Sequence, residues 1–256
     1  MLATTSVGRK LVMAVTGIGL FLFVVGHLAG NLLIYAGPDA LNAYALKLKE
    51  MPYVVWPARL VILSIFLVHI YLGLELYRQN REARPDKYFQ EETLRADFAS
   101  RHMLFTGLMI LLFVVYHLLQ FTFHAVPPPE HIYTTDLKGK EVTDVYTMVV
   151  QGFQTGGVSA IYILAQVFLA LHLSHAMTSV FETFGWTATR FRGYIEKVGP
   201  IVATVICFGY ITIPLAVLTG NLRLPDSVIE QQALEEMETN MIDVMPDPAG
   251  RRGDQS

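Results

Sequence analysis

Five apolar runs dominate this chain, near residues 9–36, 55–79, 102–125, 157–185 and 199–220. Each is long enough to cross about 30 Å of hydrocarbon, which takes roughly 20 helical residues. A backbone in lipid must satisfy its own hydrogen bonds, so runs of this length are read as helices. Between Leu11 and Tyr35 no residue is charged. That run starts about ten residues in, and no small-residue site closes a short apolar core, so it is expected to remain as a span. Of the whole chain, 53% is hydrophobic and 16% charged, against about 25% charged in a soluble domain. An ordinary soluble enzyme and a disordered chain are excluded. The net charge of −3 leaves no basic patch for nucleic acid. The single cysteine, Cys207, lies inside an apolar run, which removes a disulfide framework and a thiolate metal site. The expected fold is all-α, an integral membrane five-helix bundle over residues 1–222. A polar, acidic tail at 223–256 reads as mobile and without chemistry of its own.

The second run is the weakest, since Arg59 and Glu75 leave fifteen uncharged residues between them. Both side chains are long enough to reach an interface. Orientation follows from Lys and Arg. With the N-terminus cytoplasmic, eleven of the nineteen positive residues fall on the inner side, six of them between Arg78 and Arg101. The chain therefore reads as N-terminus cytoplasmic, C-terminus outside. In the outer connection at 126–156, Pro127, Pro128 and Pro129 stop a helix. Lys138-Gly139-Lys140 reads as a turn, and Val142 to Phe153 as a short surface helix.

The chain also resembles itself. Thr16-Gly17 precedes His27 as Thr106-Gly107 precedes His117, at an offset of 90 residues. Leu22-Phe23-Val24-Val25 matches Leu112-Phe113-Val114-Val115 at the same offset. Spans two and four match more weakly, through Phe66-Leu67 before His69 and Phe168-Leu169 before His172. Two helical hairpins of one kind are implied. Of the eight histidines, His131 is in a loop and His102 and His124 are at span ends. His27, His69, His117, His172 and His175 lie deep in apolar runs, and ionisable groups there are costly and usually functional.

Depth sorts four of them. At about 1.5 Å per residue, His27 and His117 lie roughly 14 and 12 Å from the outer ends of their spans. His69 and His172 lie roughly 15 and 20 Å from the inner ends of theirs. Two imidazoles facing across a bundle at one depth are what a bis-histidine haem needs. Small residues beside the ligands, Gly26, Ala29, Gly30 and Gly73, would leave room for the porphyrin, although close helix packing uses the same residues. Zinc is disfavoured by the absence of carboxylate or cysteine partners at either depth. His172 and His175 are three residues apart and share a similar face. The repeat sets His172 opposite His69 and Leu72 opposite His175, favouring His172 as the ligand and His175 as a hydrogen-bonding neighbour or propionate contact.

These residues carry a family resemblance. Five spans, one such histidine in each of the first four, Gly26-His27-Leu28, and the stretch from His172-Leu-Ser-His175 to Phe184-Gly185-Trp186 resemble the dihaem cytochrome b anchor of succinate:quinone oxidoreductases. The type is the cytochrome b558 family of succinate dehydrogenases and fumarate reductases, and the resemblance covers about residues 5–222. It implies His172 over His175 as ligand, His69 and His172 on a proximal haem, and His27 and His117 on a distal one. The implied cofactors are two b haems, with quinone, often menaquinone in two-haem members, as electron-transfer substrate. The implied partners are a flavoprotein subunit and an iron–sulfur subunit on the cytoplasmic side of a bacterial-type cytoplasmic membrane. Electrons would pass between the iron–sulfur subunit and quinone, with succinate and fumarate interconverted elsewhere in the complex.

By the same resemblance Glu50 falls near an outer carboxylate beside the quinone, but a solvated residue ending a surface helix before Pro52 explains it as well. Where some relatives carry a glutamate two positions before the span-four ligand, this chain has Ala170, so a proton route through that carboxylate should be absent. Arg59 with Trp56 reads as an interfacial anchor or a propionate contact. Glu75 and Arg78 should pair with each other. The basic 78–101 segment is either a docking surface for soluble subunits or simply the orientation signal. Lys10 and Arg101 are weaker propionate candidates. Two alternatives remain. Anchors of nitrate reductases or formate dehydrogenases usually draw ligands from fewer spans. A proton-coupled transporter using a histidine relay would not require paired depths.

Overall fold

The computed structural model describes residues 5–83, 102–129, 132–137, 139–186 and 192–244. Five of its helices are long and apolar enough to cross a membrane: α1 (Ser6–Asn31, continued by a 3-10 turn over Leu32–Ala36), α3 (Pro52–Glu82), α4 (Met103–Phe121), α6 (Gly156–Thr183) and α7 (Arg192–Leu218). Between α1 and α3 lies α2 (Pro38–Lys49). Between α4 and α6 lie an antiparallel hairpin, β1 (Thr134–Leu137) and β2 (Lys140–Thr143), and helix α5 (Val145–Gln154). This is a multi-pass membrane protein, with the burial pattern of one. Leu60, Val61, Leu67, Leu112, Ile201 and Phe208 are exposed, whereas Thr16, Thr106, Gln120 and Ser159 are buried.

The charges that limit the apolar runs do not end the helices. α3 continues past Glu75 because that carboxylate accepts from Arg9 of α1 at 2.9 Å and from Arg78 at 3.0 Å. An ion pair satisfied inside the bundle removes the reason to stop the span. α7 starts at Arg192, seven residues before the start of the apolar run, and its first turns carry the i,i+4 pair Arg192–Glu196 at 2.8 Å.

α1 runs antiparallel to α3. Gly19 faces Ile65, Gly17 faces His69, and Arg9 meets Glu75, so rising numbers on one helix match falling numbers on the other. α4 and α6 are related in the same way through Phe105–Phe168 and His117–Tyr162. α6 also packs on α1, and α3 touches α4, which closes a ring of four helices in the order α1, α3, α4, α6. α7 lies outside the ring against α6 and α1. There Gly199 lets the two backbones meet: a Cβ would stand 2.6 Å from the Ser174 carbonyl.

One end of the ring is covered by the short elements. Gly37, with φ of 98°, turns the chain sharply before Pro38 opens α2. Asn42 of α2 donates to Asp144, and its own oxygen accepts from the Tyr146 N–H. Asp144 caps α5 by accepting from the Thr147 N–H and hydroxyl. These groups are buried and mutually satisfied, which fixes α2 on α5. The all-α class holds, but the surface helix expected over Val142 to Phe153 needs correcting at its start. Val142 and Thr143 pair with Thr135 and Thr134 in the hairpin, so the surface helix begins only at Val145, after its Asp144 cap. The turn reading is kept at Gly139, whose φ is 79° and whose N–H donates to Asp136.

Contacts divide the chain into Met1–Leu222 and Arg223–Ser256. The second unit contains helix α8, Asp226–Val244, where the polar composition predicts a mobile tail. Its Glu, Gln, Ala, Leu and Met content favours helix, and Asp226 in the first turn complements the helix dipole. Low hydrophobicity does not remove helix propensity.

Candidate functional site: two facing histidine pairs

α1 carries His27 and α4 carries His117, and their rings face each other with centroids 5.9 Å apart and planes at 82°. α3 carries His69 and α6 carries His172, with centroids 6.3 Å apart and planes at 65°. These are the two diagonals of the four-helix ring. Each pair therefore comes from helices that are not neighbours, and the rings meet across the middle of the bundle. The levels are distinct. His69 lies beside Thr16 and His172 beside Thr106, eleven residues before His27 and His117 respectively. At about 1.5 Å per residue the two pairs are roughly 16 Å apart along the helices.

Hydrogen bonds assign the ring nitrogens. His117 Nδ1 lies 3.2 Å from the Tyr162 hydroxyl. That hydroxyl donates its proton to Gln120 Oε1 at 2.8 Å, and Gln120 Nε2 donates to the Pro128 carbonyl at 2.7 Å. The tyrosine proton is thereby spent, so the hydroxyl accepts from an Nδ1–H and leaves the Nε2 lone pair free. His69 Nδ1 and His172 Nδ1 each lie 3.2 Å from a threonine hydroxyl, Thr16 and Thr106. His27 is held by ring contacts, with Phe23 stacked at 5.5 Å and Tyr210 at 6.2 Å. The Tyr210 hydroxyl is anchored on the Val24 carbonyl at 2.7 Å.

The donor set decides what could fit. Among the described residues no group of three or more His, Cys, Asp or Glu is placed to hold an ion. Each pair offers two imidazoles, which suits a metal whose other ligands come from its own macrocycle. The rings of each pair face one another, 6.3 and 5.9 Å apart between centroids, and could hold one metal ion between two imidazoles. A haem at each pair is compatible with these residues.

The ring that faces His69 belongs to His172; His175, three residues on, is half-buried beside it. Of the small residues expected beside these histidines, Gly26 faces open space, with nothing within 4 Å of an added Cβ, whereas Gly30 and Gly73 serve other neighbours. A Cβ on Gly30 would meet Tyr44 of α2 at 2.8 Å, and one on Gly73 would meet Met13 at 3.5 Å. The glycines against ligand rings are Gly17 and Gly107, with a Cβ reaching His69 at 3.5 Å and His172 at 3.3 Å. Glu50 is half-exposed and paired with Lys140 of β2 at 2.9 Å. Arg59 stacks over Trp56 at 5.2 Å, and Lys10 is exposed. Glu75 and Arg78 pair as the spacing predicts. Arg101, His131 and the basic segment beyond Ala83 lie outside the described residues. Sequence reasoning misses Tyr162 and Gln120, because a buried Tyr and a Gln at span ends look like ordinary interface residues. The signal that would find them is a hydrogen-bonding side chain one helix away from each histidine.

No family model, curated protein or solved structure matches this chain.

Proposed function

We propose that this chain is the dihaem cytochrome b membrane anchor of a succinate:quinone oxidoreductase, relaying electrons between an iron–sulfur subunit and membrane quinone. The observation that carries the haem reading is the double diagonal: two histidine pairs, on two levels, whose rings face across the bundle at 5.9 and 6.3 Å. Identification of the complex rests on the sequence resemblance. Haem would supply a one-electron Fe(III)/Fe(II) couple at each pair. His69 and His172 would hold the group nearer the cytoplasmic partners, and His27 and His117 the group nearer the outer face and quinone. The four-helix ring holds the pairs roughly 16 Å apart and surrounds them with apolar side chains. Phe113, Phe121 and Tyr162 pack against the His117 ring, and Phe153 packs on Tyr162, which makes that level apolar. The cytoplasmic side is assigned from the positive residues, placing the basic 78–101 segment where the flavoprotein and iron–sulfur subunits would dock.

The test is a dithionite-reduced minus oxidised spectrum of the purified full-length protein, with a pyridine haemochrome count. Two b haems per chain are expected. One should be lost in His27→Ala or His117→Ala, the other in His69→Ala or His172→Ala, and neither in His175→Ala. Folded protein made with ample haem and carrying none would end the cytochrome reading. A tag on this chain should co-purify a flavin-containing and an iron–sulfur subunit; recovery of two haems without them would retain the cytochrome and reject the complex.

A further inference from the structure

The repeat Thr-Gly has a structural meaning that does not concern the histidine of its own helix. Thr16 and Gly17 of α1 contact His69 of α3, and Thr106 and Gly107 of α4 contact His172 of α6. Both threonine hydroxyls are bound back to their own helix. Thr16 Oγ1 lies 2.9 Å from the Val12 carbonyl and 3.0 Å from that of Met13; Thr106 Oγ1 lies 3.1 Å from the carbonyls of His102 and Met103. The single hydroxyl proton is committed to a carbonyl, so toward the ring the oxygen is an acceptor. A threonine oxygen that can only accept thus requires Nδ1 to carry the proton. The adjacent glycine lets the ring lie against the helix: at Gly107 an added Cβ would come within 3.3 Å of His172 Cε1.

Resting on the dihaem reading, we infer that Thr16 and Thr106 are positioning residues that hold His69 and His172 as Nδ1–H tautomers and lower the midpoint potential of the haem between them. An Nδ1–H that donates to an acceptor fixes ring orientation and makes the opposite nitrogen more basic. A more basic ligand favours Fe(III) over Fe(II). The arrangement is the same on both helices, at 3.2 Å each, and differs from the other level, where Tyr162 serves His117.

Full-length protein carrying Thr16→Val or Thr106→Val tests this by spectroelectrochemical titration, with the haems assigned from His69→Ala and His27→Ala. The haem of the His69–His172 pair should shift to a higher midpoint potential and be retained about 10–100-fold less tightly. The other haem should keep its potential, serving as an internal check on folding. Thr16→Ser and Thr106→Ser, which keep the hydroxyl, should restore wild-type values. If a valine variant fails to accumulate, Thr16→Ala and Thr106→Ala remove the hydroxyl without added bulk, with the same expectation. An unchanged potential and retention in hydroxyl-free variants of a two-haem protein would overturn the positioning role and leave the dihaem reading intact. A wild-type protein without haem would overturn both.

Discussion

Tyr162 sits where three requirements meet: it accepts from His117, donates to Gln120, and packs its ring against Phe113 at 4.9 Å and Phe153 at 4.8 Å. Tyr162→Phe keeps the packing and strands two polar groups, at a cost of about 1–3 kcal/mol for a buried group left unpaired. The variant should fold with a lowered thermal midpoint in detergent. On the dihaem reading, its titration should raise the potential of the His27–His117 haem alone, whereas the threonine variants raise that of the His69–His172 haem alone. At this scale the sequence is partly legible. Buried imidazoles stand out because lipid penalises them. The hydroxyls that orient them do not, since a threonine or tyrosine in an apolar helix has many ordinary uses. Thr16 is conspicuous through its repeat, but the ring it serves is 53 residues away on another helix.

Among the elements, α6 carries the heaviest duty, bearing His172 and Tyr162 while packing on α4, α1 and α7. Its approach to α7 depends on Gly199. Gly199→Ala puts a methyl 2.6 Å from the Ser174 carbonyl and 3.2 Å from Met177 Cβ, and neither can rotate away. Overpacking of this kind costs about 1–3 kcal/mol. Gly209→Ala meets only Leu28 side-chain carbons, the nearest at 3.0 and 3.2 Å, which can change rotamer. Thermal unfolding in detergent, followed by circular dichroism, should therefore show a large drop for Gly199→Ala and a small one for Gly209→Ala. The long helices are legible from apolar length, because in lipid that length decides whether a segment spans. The ends are not: the second run reads as 55–79, whereas α3 continues to Glu82, with Glu75 paired to Arg9 of α1. Nor is the hairpin, because β1 and β2 are four residues each and have no apolar alternation to announce them.

At the scale of the whole molecule, the excess of Lys and Arg on one set of connections predicts the topology. A C-terminal alkaline phosphatase fusion should be active and a C-terminal green fluorescent protein fusion dark in a bacterial host. The opposite pattern would reverse the assignment of levels to membrane faces without disturbing the pairs. The number of spans and the relative depths of four histidines follow from the sequence, because hydrophobic length and a rise of about 1.5 Å per residue are local quantities. Depth also predicts which histidines share a level. Which side chains meet is decided by the tertiary structure. Closing α1, α3, α4 and α6 into a ring makes the ligand helices diagonal partners, so that residues 90 and 103 positions apart face one another at 5.9 and 6.3 Å. The same closure sets each Thr-Gly pair beside the histidine of the neighbouring helix. Periodicity along one helix contains no information about rotation around another, and that rotation is fixed by packing.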